Sequence, residues 1–268
     1  MNYLKEVLNY YFKNLGWLAL FVCIPVLFFG FILHPFKMFE FLIAYPKGTY
    51  NGFGDFWNSI FDTGILTLMC LVAGFVVLVI AISLLLGAVE KHFKTGKVSL
   101  VNDFSLNSNL LGVAKLLALT IGIYLLVNFV ALLLIFVMHF LFASGGMAIW
   151  VNVVFAYLIV FISFAVLVRV FSIASLTCVE MLLNGSPFKN SFFDALSSLD
   201  RAGWSVRFLE ILLGVLIVGF MLGFSALGIS WLGEIIALIL LVPIECVMGM
   251  VVFFDHNELT RFDKKRWF

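Results

Sequence analysis

From Ile65 to Val89 the chain reads ILTLMCLVAGFVVLVIAISLLLGAV, with no charged residue. A helix rises about 1.5 Å per residue and needs about 20 apolar residues to cross the roughly 30 Å hydrocarbon layer of a bilayer. This stretch meets that length, so it predicts a membrane-spanning helix. It closes on Glu90 and the basic cluster Lys91, His92, Lys94, Lys97, with Gly96 among them. The figure returns at Phe155–Thr177, followed by Val179-Glu180 and MLLNG, where Gly185 stands in the place of Gly96. A looser copy lies at Ile244-Glu245-Cys246-Val247-Met248-Gly249.

Composition agrees with this reading. The chain is 64% hydrophobic and 12% charged, with mean hydropathy +1.17. Soluble domains carry roughly 25% charged residues, so a water-facing shell for a chain of this length is missing. Cys23, Cys70, Cys178 and Cys246 sit in or beside apolar runs without a CxxC pair, which describes small buried hydrophobes.

Six spans follow along residues 1–268, read as a single membrane domain: 17–33, 65–89, 111–140, 150–176, 206–227 and 231–254. Ahead of the first, Leu4, Val7, Leu8, Tyr11, Phe12 and Leu15 share a helical stripe. That pattern describes an amphipathic surface helix over 1–15, or an extension of the first span. No small-residue cleavage site follows, so the first span is read as retained. Pro25 predicts a kink. Residues 34–62 are rich in Phe, Trp and Tyr, which places them at headgroup level as an interfacial loop or a contact surface for a ligand. Ser99 reads as the cap of a short helix that Asn107-Ser108-Asn109 breaks. Ser186-Pro187 reads as the start of a second amphipathic surface helix, with the Ser186 hydroxyl as cap, running over 187–199.

Small residues recur at Ala114, Ala118 and Gly122, and Gly219 and Gly223 form a GxxxG; both predict close helix packing. Asn128 lies mid-span, where an amide serves as a bond across a helix interface or as a substrate contact. Counting from Trp150 puts Arg169 about 28 Å deeper, near a membrane boundary. It either snorkels or pairs with Glu90 or Glu180. Fourteen of the sixteen Lys and Arg fall on one side of this threading, and Lys37 and Lys47 fall on the other. The positive-inside rule then places both termini in the cytoplasm.

No GxSxG, HExxH, Walker A or GxGxxG motif occurs, and the loops are too short for a soluble catalytic domain. His34 and His139 fall near the outer side with Asp55, Asp62 and Glu234, but without ligand spacing, and no metal or cofactor is expected. The basic residues form a sparse girdle, which argues against nucleic acid. The candidate functional groups are Glu90, Glu180 and Glu245 with Arg169 and Asn128. An ionisable residue in a span suggests proton coupling or cation contact. The alternative is that these groups pair with Arg169, Arg207 and lysines and set helix register.

A span ending in GAVEKHFKTGKVSL and a second copy in CVEMLLNGSPFKNSFFDALSSL resemble a class of bacterial six-span membrane proteins of uncharacterised function. The layout is also similar to the membrane domain fused to some glycerophosphodiester phosphodiesterases, without the catalytic domain. The resemblance implies a bacterial plasma-membrane protein and transfers no catalytic residue. The expectation is an all-α polytopic bundle of six transmembrane helices in a parallel hairpin repeat, with short amphipathic surface helices. Its function is expected to be that of a non-catalytic accessory component binding membrane lipid, a membrane-protein partner or a second copy. The alternative is the permease subunit of a transporter, driven by a separate ATPase and moving a hydrophobic or lipid-like substrate.

Overall fold

The computed structural model describes residues 3–47, 50, 52–61, 65–98, 106–144 and 149–263. The protein is an all-α polytopic membrane protein: the described residues contain no strand, and six helices are long and apolar enough to cross a bilayer. In chain order the helices are α1 (Tyr3–Phe28), α2 (Lys37–Ala44), α3 (Phe53–Ile60), α4 (Ile65–Thr95), α5 (Leu106–Ser144), α6 (Ile149–Asn184), α7 (Phe188–Ala202), α8 (Trp204–Ala226) and α9 (Ser230–His256). The spans are α1, α4, α5, α6, α8 and α9, and each overruns its sequence-predicted core or matches it closely. In α1, α4, α6 and α9 the excess includes charged residues, which hydropathy counts as loop but the helix continues through.

Successive spans run antiparallel, so α4, α6 and α9 point the same way and both termini come to one end of the bundle. Tyr3 donates to Asp255 there, and Arg261 meets Glu6 at 3.1 Å. Gly96 and Gly185 follow the last residues of α4 and α6 with φ +69° and +62°. That left-handed conformation closes a helix end at little cost only for glycine.

Helix α9 is the axis. It packs against α1, α6, α8 and α4, while α5 braces α4 and α6 from outside. From Leu241 to Phe254 every residue except Val242 is buried. Two clusters of buried apolar side chains stack along it. The one at the terminal end joins α1, α4, α5, α6, α7, α8 and α9; the one at the far end joins α2, α3, α5, α6 and α8, with Ala237 and Leu241 of α9.

Several expected features differ. Of the two readings of the N-terminal stretch, residues 3–15 follow the extension of the first span and not a separate surface helix: α1 is continuous from Tyr3, and Tyr3, Val7, Tyr10, Tyr11, Leu18 and Val22 form one buried stripe into the span. Packing against α9 wins over lying on the membrane because the stripe continues in register through Leu18. Pro25 stays inside α1, and the irregularity comes after it as the π-helical turn Phe29–Leu33, ending on His34 at φ 46°. Within the aromatic segment, α2 and α3 pack into the bundle and do not form a loop outside it: Phe36 and Phe39 meet Phe164 of α6 edge to face. Asn107–Asn109 do not break a helix but lie within α5, and Ser99 lies outside the described residues. At α7 the residue preceding the helix is Pro187 and no side chain caps it; Asn190 and Ser191 donate their N–H groups to the Pro187 carbonyl. Its buried face is Ser191, Ala195, Ser198 and Leu199, turned toward the bundle, while Phe188 and Phe193 are exposed.

Of the predicted small-residue stripe on α5, Ala114 packs partly buried against the core, whereas Ala118 and Gly122 are exposed. Gly219 and Gly223 are exposed with nothing within 4 Å of a Cβ. Close helix approaches are made instead by α9, with Gly249 against Ser175 and Leu176 of α6 and Gly233 against Phe220 and Phe224 of α8.

Candidate functional site

Two buried carboxylates, Glu234 and Glu245, lie on α9 on either side of Pro243. Proline carries no N–H, so the Ile239 carbonyl one turn earlier loses its helical partner. Tyr11 of α1 supplies the replacement, its hydroxyl donating to Ile239 O at 3.2 Å. Two residues beyond the proline, the Glu245 main-chain carbonyl accepts the Ser175 hydroxyl of α6 at 2.7 Å. The helix therefore crosses its proline with both loosened stretches held by neighbours.

Glu245 lies roughly 16 Å in from the end of α9 at the helical rise. It is 3% exposed, and neither carboxyl oxygen has a hydrogen-bond partner. The Ser172 hydroxyl lies beside it but donates to Val168 O of its own helix at 3.2 Å. Next to this carboxyl stands an ion pair, the Arg169 guanidinium on the Glu210 carboxylate at 2.8 Å. Arg169 also approaches Asp200, at the end of α7, at 3.6 Å, and Arg207 stands 3.9 Å from the same carboxylate.

Of the sequence-predicted site residues, the fold brings Arg169 near Glu245 and leaves Glu90, Glu180 and Asn128 with partners on their own helices. Arg169 pairs with Glu210 and Asp200, and neither Glu90 nor Glu180 reaches it: α8 is its neighbour, and α7 folds beneath. Glu90 pairs with Lys94 of its own helix at 2.5 Å, and the lysine is half in solvent. Glu180 is buried and accepts from Asn184 one turn on at 2.7 Å. Asn128 donates to the Tyr124 carbonyl of its own helix at 2.8 Å instead of bonding across an interface. Glu210 was overlooked in the sequence, although its signal was there: a carboxylate in the second turn of a span, three residues after Arg207.

A second polar group occupies the far end. Glu234 of α9 is 1% exposed; one oxygen meets His34 Nδ1 at 2.9 Å and the other accepts the Phe36 N–H at 3.2 Å. The left-handed turn at His34 aims the ring and the following backbone at one carboxylate. Close by, the Tyr124 hydroxyl donates to the Pro35 carbonyl. Behind these groups Tyr124, Asn128, Ser163 and Phe164 line a cavity of about 20 Å³. That is room for about one water molecule and no substrate.

His139 stands apart from His34 and meets the Tyr45 hydroxyl at 2.9 Å, among Tyr50 and Phe56. Burial pushes the Tyr45 phenol up to about 12, so it keeps its proton as a donor. Asp62 lies outside the described residues. Among the described residues no three His, Cys, Asp or Glu side chains are grouped to hold a metal.

At the terminal end a buried Arg261 closes the bundle. It is 7% exposed, ion-paired to Glu6 at 3.1 Å and Asp263 at 2.8 Å, and lies 4.0 Å over the Phe93 ring. The Phe262 N–H donates to the Phe93 carbonyl at 2.8 Å, so the segment after α9 is strapped to α1 and α4. Comparison with protein-family models, with curated proteins and with solved structures yields no match.

Proposed function

We propose that this chain is a non-catalytic component of a bacterial plasma membrane, with both termini cytoplasmic, that binds a membrane-protein partner or lipid through its spans and α7. The observation that carries this reading is the packing of α9. A permease of polar cargo needs a path along the bundle axis, and here the axis is a helix buried almost without interruption from Leu241 to Phe254. The polar groups along it are tied to neighbours or enclosed singly, which favours a fixed body over a moving gate.

The surfaces suited to binding lie outside. On α7, Phe188 and Phe193 are 40% and 58% exposed, and Trp204 at the start of α8 is 79% exposed with Arg207 over its ring at 5.7 Å. Aromatic rings and arginine at a span's end suit the headgroup layer. The six-span layout with its basic side matches the resemblance to bacterial six-span proteins and supports the same placement.

Purification from the native host in mild detergent, with identification of co-purifying proteins and retained lipid, tests this. A membrane enzyme or bound lipid at stoichiometric amount is the expected result. A stoichiometric ATP-binding partner would overturn it in favour of the permease reading, in which α7 is the coupling surface.

A further inference from the structure

Glu245 is a buried group that the bundle leaves unsatisfied. Evolutionary cost aside, the physics is direct: an ionised carboxylate without a partner is far more costly in an apolar interior than a neutral acid. Its neighbours narrow what it can bind. From α6 Arg169 and Ser172 face it, from α8 Glu210, and on its own helix Cys246 adjoins it. From α1 Tyr11 is committed to the Ile239 carbonyl, and among the described residues no charge of α1 or α4 acts on it. A metal cation would be repelled by the Arg169 guanidinium, whereas a proton on the carboxyl is not. Arg169 in turn leads outward, through Asp200, which is 67% exposed.

We propose that Glu245 is a proton-binding site reached from the α7 end of the bundle, with the Arg169 guanidinium drawn from Glu210 toward Glu245 when the proton leaves. With Glu245 protonated, the buried set is one guanidinium paired with the Glu210 carboxylate. Release of the proton to solvent leaves two carboxylates beside the one guanidinium, so the set passes from neutral to one net negative charge, and the departing proton carries the balancing positive charge. Arg169 is the cation that the two carboxylates then share. This site is independent of which partner the protein binds.

Infrared difference spectroscopy of the full chain in lipid vesicles, titrated over pH, tests the proposal. The wild type is expected to show a protonated-carboxyl band that is lost as pH rises, that shifts when glutamate is labelled with carbon-13, and that is missing in Glu245→Gln. Arg169→Gln and Glu210→Gln keep Glu245 in place, and they should move the midpoint in opposite directions by about one pH unit or more. One removes a cationic neighbour of the carboxyl and the other an anionic neighbour. A wild type with no such band at any pH, an equal band in Glu245→Gln, or a midpoint that neither neighbour variant moves would each overturn it. If Glu245→Gln does not accumulate, the two neighbour variants decide alone.

Discussion

Replacing Gly249 with alanine should force α6 and α9 apart. A Cβ there would lie 2.9 Å from Ser175 Oγ and 3.3 Å from both Leu176 N and the Ser175 carbonyl carbon. Two of these three atoms are backbone and cannot swing aside, so the helices themselves must shift. Overpacking of this kind costs about 1–3 kcal/mol. Separating the helices also lengthens the Ser175–Glu245 hydrogen bond, now 2.7 Å, and such bonds between spans contribute about 0.6–1.7 kcal/mol. Against this, alanine is favoured over glycine in a helix by about 1 kcal/mol. The net expectation is a destabilisation of about 1–2 kcal/mol. At Gly219 no atom lies within 4 Å, so only the favourable propensity term remains. Gly219→Ala should be neutral or stabilise by up to about 1 kcal/mol. Reversible unfolding of the full chain in mixed detergent micelles measures both. In Ser175→Ala/Gly249→Ala the nearest atom is gone, so the double variant should lose less than the sum of the single losses. A neutral Gly249→Ala beside a destabilising Gly219→Ala would refute the packing argument.

Tyr11→Phe should cost about 1 kcal/mol by leaving the Ile239 carbonyl unsatisfied. In a Pro243→Ala background the restored N–H serves that carbonyl, so the cost should shrink; an equal cost in both backgrounds contradicts the assignment. Arg261→Ala should cost about 1–3 kcal/mol and raise protease cleavage between Asn257 and Asp263, because it removes charged hydrogen bonds of a buried group. Lys94→Ala removes a half-exposed lysine from its pair with Glu90 and should change stability by under about 0.5 kcal/mol. Similar losses for the two in the same unfolding assay would undo the distinction between strap and surface pair. With all four native cysteines replaced, a cysteine at exposed Asn58 should be labelled by an impermeant reagent from outside intact cells. A cysteine at Lys94 should be labelled only after permeabilisation, and the reverse pattern would invert the orientation.

Membrane placement and the six spans were legible in the sequence because hydrocarbon thickness dictates a length. Runs such as Ile65–Val89 leave little alternative to a spanning helix. The partners of polar groups were not legible. Charge counting named Glu90 and Glu180 for Arg169, yet Glu210, 41 residues along the chain, holds it, since the choice depends on which helices are neighbours. Nor did the glycine pattern of α8 point to a contact, because a small residue facing lipid and one facing a helix read alike; it is Gly249 and Gly233 of α9 that press against the backbone of a neighbouring helix.

The aromatic segment shows the same degeneracy. Phe36 and Phe39 suit a headgroup layer by composition, and tertiary packing against Phe164 draws them inside. The central place of α9 was likewise hidden. In a soluble bundle a polar stripe marks the face turned to water, but lipid is as apolar as a protein interior. The spans are apolar on every side whether buried or not, so hydropathy reports that a helix is in the membrane and is silent on its depth within the bundle. Which helix becomes the axis, and therefore which carboxylate is cut off from lipid and water alike, was decided by packing between helices.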